Sequence, residues 1–145
     1  MAKQLMLVAE DDEVDALLLE HALEKAGSIF KMIHVTDGQE AIDYVKGAGV
    51  YSDRKKHPLP HLVLLDLKMP RKDGFAVLQW RRDACQAAIP MIAFSSSNLR
   101  DDIDRAYLLG ANSYVVKPTA PERLESMVKA LQDWWVGFNV TGSLS

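Results

Sequence analysis

Five short apolar runs punctuate the chain, at residues 5–9, 30–35, 62–65, 91–94 and 113–116. Three of them are nearly continuous in apolar residues, the pattern of strands buried on both faces of a parallel sheet. Between the runs the apolar positions change to a helical period. Val14, Leu17, Leu18 and Ala22 share one helical face, and Ile103, Ala106, Tyr107 and Gly110 share another. Strand–helix units repeated in this order predict a doubly wound α/β fold. Asp37-x-x-Glu40 and Thr119-x-x-Glu122 read as capping boxes, the second with Pro121 in the first turn, and Gly27 and Gly110 stand where helices should stop. The one long connection, residues 47–60, carries two prolines and the cluster Arg54-Lys55-Lys56-His57. It reads as a loop outside the sheet with a solvated surface.

Composition narrows the class without naming a chemistry. A chain of 145 residues fits one compact domain, and 48% hydrophobic residues suffice for a core. A net charge of −3 gives no bulk attraction to nucleic acid or to a membrane surface. No apolar run approaches the ~20 residues of a spanning helix. The first residues enter an apolar strand at once and run into acids, so they read as structure and not as a signal peptide. Cys85 is the only cysteine. An internal disulfide is therefore excluded, a reducing cytoplasm is the expected compartment, and Cys85 reads as a small structural residue. Asn139-Val-Thr141 matches a glycosylation sequon but carries no weight without secretion.

Chemistry is expected beyond the carboxyl ends of the strands, where open parallel sheets collect their ligands. The first strand is followed by Glu10, Asp11 and Asp12, the third by Asp66, the fourth by Ser95, Ser96 and Ser97, and the fifth by Lys117 and Pro118. Crowded carboxylates repel, and a hard divalent cation with oxygen ligands relieves them. Asp11 and Asp66 would hold Mg²⁺, with Glu10 reaching it directly or through water. Lys117 would pair with phosphoryl oxygens as a point charge, and Ser95 would donate a hydrogen bond to them. Phosphoryl transfer needs mainly such positioning and charge neutralisation. Each feature has a plainer reading: the acids as a helix N-terminus suited to its dipole, the serines as a turn, the lysine as a loop residue. Their coincidence at four strand ends favours the chemical one, with Asp66 as the reactive carboxylate.

The pieces Leu7-Val-Ala-Glu-Asp-Asp12, Leu64-Leu-Asp-Leu-Lys-Met-Pro-Arg-Lys-Asp-Gly74, Pro90-Met-Ile-Ala-Phe-Ser-Ser96 and Tyr114-Val-Val-Lys-Pro118 occur in the order and spacing of a known family. The sequence resembles bacterial response-regulator receiver domains over roughly residues 4–136. The resemblance implies a flavodoxin-like five-stranded sheet, order 2-1-3-4-5, with five flanking helices. It implies phosphorylation of Asp66 from a phosphohistidine on a sensor histidine kinase. Glu10 and Asp11 then form the acidic pocket, the Lys68 backbone carbonyl is a further metal ligand, and Ser95, Lys117 and the Ser96 backbone N–H hold the phosphoryl group. A cis Lys117–Pro118 peptide would aim the amine into the site, and Ser95 with Tyr114 would form the switch. Two departures stand out: serine at position 95 lacks threonine's methyl group, and Glu10 replaces a common aspartate. Lys68 and Ser97 flank the site and are expected to tune the phosphoryl lifetime.

With only about nine residues beyond the last helix, the expectation is one receiver domain over 1–145, its tail at 137–145, acting through protein contacts and not on DNA or membranes. The last helix places Trp134 and Trp135 about 100° apart, so both are not expected to be buried. A homodimer through that face is one expectation. The long loop and Trp-rich last helix are similar to single-domain regulators that accompany bacterial phytochrome kinases. His57 and His61, separated by prolines, cannot form a helical zinc pair. A haloacid-dehalogenase-type phosphatase would need its nucleophile on the first strand and a second carboxylate where Lys68 stands. A flavodoxin-like FMN carrier would need hydroxyls and glycines where the first-strand acids lie.

Overall fold

The structure, a computed structural model, describes residues 3–84 and 88–140; Cys85 and Thr141 lie outside them. Five parallel strands make one sheet, β1 Gln4–Ala9, β2 Phe30–Val35, β3 Leu62–Leu65, β4 Met91–Ser95 and β5 Ser113–Val116, in the order β2-β1-β3-β4-β5. The helices are α1 Glu13–Lys25, α2 Gly38–Lys46, α3 Gly74–Ala84, α4 Arg100–Leu108 and α5 Pro121–Gly137, with a 3₁₀ turn at Gly49–Tyr51.

The continuous apolar strands are explained by two cores. Leu62 and Leu64 point to the side of Leu19, Leu23, Leu124 and Val128, while Val63 and Leu65 point to the side of Ile42, Phe75 and Leu78. All four β3 residues are at most 2% exposed, so each contributes about 1.5–3 kcal/mol of burial. Register then aligns the strand ends. Met6 pairs with Leu62 and Ala9 with Leu65, so Glu10 and Asp66 leave the sheet side by side. Ser95 pairs with Val116, and the Lys117 N–H donates to the Ser95 carbonyl at 2.8 Å.

Three expectations about helices need correction. The buried face of α1 is Ala16, Leu19, Ala22 and Leu23, whereas Val14, Leu17 and Leu18 are exposed. That helix is apolar on two sides, and only packing against the sheet chooses between them. In α4, Ala106 is buried but Tyr107 is exposed. The α5 box does not form: Ala120 is the N-cap without a side-chain bond, with Pro121 in the first turn. Asp37 does cap α2, accepting from the Glu40 N–H at 2.8 Å. Gly27 and Gly110 follow α1 and α4 with φ of +61° and +99°, the left-handed conformation that suits glycine.

The 47–60 connection is ordered around α2. Arg54 donates to the Tyr44, Val45 and His57 carbonyls, supplying partners to the carbonyls at the end of α2. Arg54 is thus a helix cap and not part of a solvated charge cluster. Tyr44 donates to the Pro58 carbonyl, and Tyr51 packs against Tyr44 with ring centroids 4.9 Å apart. His57 packs edge-on against both rings, while His61 Nδ1 accepts from the Leu5 N–H.

Candidate phosphoacceptor and acidic site

Asp66 directly follows β3 and is 8% exposed. Its N–H donates to the Ala9 carbonyl at 3.0 Å, which ties the start of the β3–α3 loop to the end of β1. One carboxylate oxygen lies 3.4 Å from the Lys68 N–H, and the other lies 3.2 Å from the Lys117 ammonium. Glu10 is 3% exposed and also binds Lys117, while Asp11 is exposed at the mouth. Carboxylate oxygens of Glu10, Asp11 and Asp66 all lie within 4.8 Å of one another. Three hard oxygen donors at that separation, two of them buried, fit a divalent cation such as Mg²⁺.

Lys117 is the counter-charge of this cluster. Besides Glu10 and Asp66 it pairs with Asp15 at 3.0 Å, and its side chain is only 12% exposed. Burial pulls its pKa down, but the hydrogen bond to Glu10 and the Asp66 and Asp15 carboxylates outweigh this and hold it well above the usual lysine value. Burial acts the other way on Glu10. With the neighbouring Asp66 it pushes the Glu10 carboxyl up to about 7, against the lowering pull of Lys117. The Lys117–Pro118 peptide is trans, contrary to expectation. The ammonium reaches all three carboxylates in that form, so the ordinary trans preference stands.

The serine triplet divides its work. Ser95 is buried and its Oγ accepts from the Ser97 N–H at 3.2 Å, whereas Ser96 is exposed. Ser96, Lys117 and Asp15 border an open hollow of about 280 Å³. Tyr114 is half-buried and donates to the Ser97 carbonyl at 2.8 Å. Ser97 Oγ bonds Asp102 in α4 at 2.5 Å. Ser95 and Tyr114 therefore meet through Ser97.

The acids after β1 also separate in role. Asp12 is the N-cap of α1, accepting from the Val14 and Asp15 N–H groups, so the plain helix-start reading holds for it. Asp15 is the site residue that sequence reasoning missed. It lies one helical turn beyond the quoted acids, and nothing in the apolar pattern decides which way that turn faces.

A model of the response regulator receiver domain matches residues 6–129. The chain belongs to the response regulator receiver domain family. Among solved structures, this receiver domain is similar to the response regulator RPA3017 in red light signalling of R. palustris, at 35% identity, 98% coverage of both chains and a TM-score of 0.86. The phosphorylated cyanobacterial phytochrome response regulator RcpA is 31% identical, with 98% of this chain and 100% of that one covered and a TM-score of 0.86. The Mn²⁺-bound form of response regulator Rcp1, from Synechocystis, is 28% identical, with 97% and 99% covered and a TM-score of 0.82. The receiver domain is thus of the two-component class, close to phytochrome response regulators, and its family is a signalling family and not one of conventional enzymes. No helix among the described residues is long and apolar enough to cross a membrane.

Proposed function

We propose that this receiver domain works as a stand-alone response regulator, taking a phosphoryl group onto Asp66 from the phosphohistidine of a phytochrome-type sensor histidine kinase in the cytoplasm. The observation that carries the proposal is the buried Asp66 carboxylate standing between a divalent-cation donor set and the Lys117 ammonium. Likeness to RPA3017 and RcpA supports the kinase class, and the Mn²⁺-bound Rcp1 supports the metal. Glu10, Asp11, Asp66 and the Lys68 backbone carbonyl are the proposed ligands. Bound there, Mg²⁺ supplies charge that offsets repulsion between the carboxylate and the phosphoryl oxygens.

In the proposed step an Asp66 carboxylate oxygen attacks phosphorus while the bond to the kinase imidazole nitrogen breaks, and the bonding electron pair stays with that nitrogen. Lys117, the Ser95 hydroxyl and the Ser96 N–H hold the phosphoryl oxygens. Drawing Ser95 toward the phosphoryl group frees the Ser97 N–H; the Ser97–Asp102 bond then carries that change to α4 and the Tyr114–Ser97 bond carries it to β5. Readout then falls on α4, β5 and α5, where Tyr107, Leu108 and Trp134 are exposed. Trp135 instead packs on Phe30. A protein target or a second copy of the chain is the proposed occupant of this surface, with no DNA contact.

Incubation with Mg²⁺ and acetyl phosphate, followed by intact mass, is expected to add one phosphoryl group, lost in Asp66→Asn and in EDTA. An unmodified wild type, or an undiminished adduct in Asp66→Asn, would overturn the assignment. Sedimentation of the same sample over a dilution series reads the dimer, which a strict monomer in both states removes.

A further inference from the structure

The Lys117 ammonium has three carboxylate partners, but only Glu10 and Asp66 belong to the donor set that fits a cation. Asp15 stands apart. It rises from the first turn of α1, its side chain is 41% exposed, and one of its oxygens lies 3.0 Å from the ammonium. With Lys117 it lines the open hollow beside Ser96.

A cation entering among Glu10, Asp11 and Asp66 must share two of the three carboxylates that hold Lys117. Two like charges on the same oxygens repel, and inside a largely buried cluster that repulsion is weakly screened. Asp15 gives the ammonium a partner that the cation does not use. Without Asp15, Lys117 would rest wholly on Glu10 and Asp66 and oppose the cation there. We propose that Asp15 is a positioning residue that seats Lys117 on α1, so that ammonium and divalent cation occupy the site together.

This inference rests on the metal reading above, and the sign of its effect is fixed. Both the lost negative charge and the tighter Lys117–Glu10–Asp66 contact make Asp15→Asn bind a cation more weakly. The second contribution exists only while Lys117 is present. Glu13, an exposed acid in the same helical turn, supplies the charge-only control.

Calorimetric titration of the full chain with MgCl₂, at fixed ionic strength and neutral pH, separates these contributions. Asp15→Asn is expected to weaken the dissociation constant about three- to tenfold, and Glu13→Gln less than about twofold. Lys117→Met is expected to tighten binding, and Asp15→Asn in that background to fall to the size of Glu13→Gln. A wild type that takes up no Mg²⁺ overturns the metal site itself. Wild-type binding with Asp15→Asn matching Glu13→Gln, or an Asp15 effect undiminished in Lys117→Met, overturns the Asp15 assignment alone. Should Lys117→Met lose its native circular dichroism, the contrast between Asp15→Asn and Glu13→Gln still decides.

Discussion

The loops after β3 and after β4 both border the acidic site, yet they are held by different means. The β3–α3 loop is fixed by backbone against backbone. Gly74 donates to the Leu67 carbonyl, and a Cβ there would lie 2.3 Å from the Asp66 carbonyl oxygen. Gly38 donates to the Lys72 carbonyl, and a Cβ there would lie 2.1 Å from that oxygen. Arg71, at a φ of +59°, adds a two-pronged ion pair to Asp37, the N-cap of α2. The β4–α4 loop instead hangs on hydroxyls: Ser95 to Ser97, Ser97 to Asp102, and Tyr114 to Ser97. Close backbone packing has no alternative arrangement within reach, whereas hydroxyl bonds exchange by rotation about one torsion. The loop that carries Asp66 is held by close backbone packing, and the loop after β4 by bonds that can exchange.

The largest effect is expected on the backbone-packed side. Gly74→Ala must displace the Asp66 backbone, and urea denaturation should show a loss of about 3 kcal/mol. A change below measurement error would mean that the loop yields as freely as its counterpart after β4.

A smaller loss comes from Asp37→Ala, about 1 kcal/mol for the missing cap. Burial works against the Asp37 carboxylate, but the Arg71 guanidinium and the Glu40 N–H hold its pKa below the usual aspartate value. A lowered acid stabilises the fold at pH above its unfolded value, and that stability is lost as pH falls through the folded one. The gap between wild type and Asp37→Ala should therefore be level above about pH 4 and shrink below it. A gap that widens in acid would contradict the pairing.

The hydroxyl-held loop should respond least in stability. Tyr114→Phe deletes the bond to Ser97 at a cost of about 0.5 kcal/mol. Its signature lies elsewhere, in faster amide exchange at residues 97–99 with residues 67–74 unchanged. Equal acceleration of both segments would erase the distinction between the loops.

The same division decides what could be read before the fold was known. Residues 62–65 announce a strand because both their faces are buried, and the acids and lysine at strand ends follow from chain order alone. Asp66, Glu10, Asp11 and Lys117 were legible for that reason. The buried face of α1 was not, because Val14, Leu17 and Leu18 offer an apolar stripe as convincing as the one that packs. Arg54 was hidden in a charge run, although two of the carbonyls it serves belong to a helix that ends eight residues earlier. Thr119 had the spacing of a cap but yields that place to Ala120. In each miss, a local pattern allowed two outcomes and distant packing selected one.

The ion pairs of Lys117 join residues 107, 102 and 51 positions apart in the chain. Contacts between such distant residues form late, because long loops must close first. During synthesis β5 is made last of the strands and takes its place at the sheet edge. A ribosome-bound chain that has reached only β4 already carries every acid of the cluster but no ammonium to hold them together. Until β5 docks, those carboxylates lack the Lys117 charge that offsets their repulsion, so completing the sheet edge also completes the charge balance of the site.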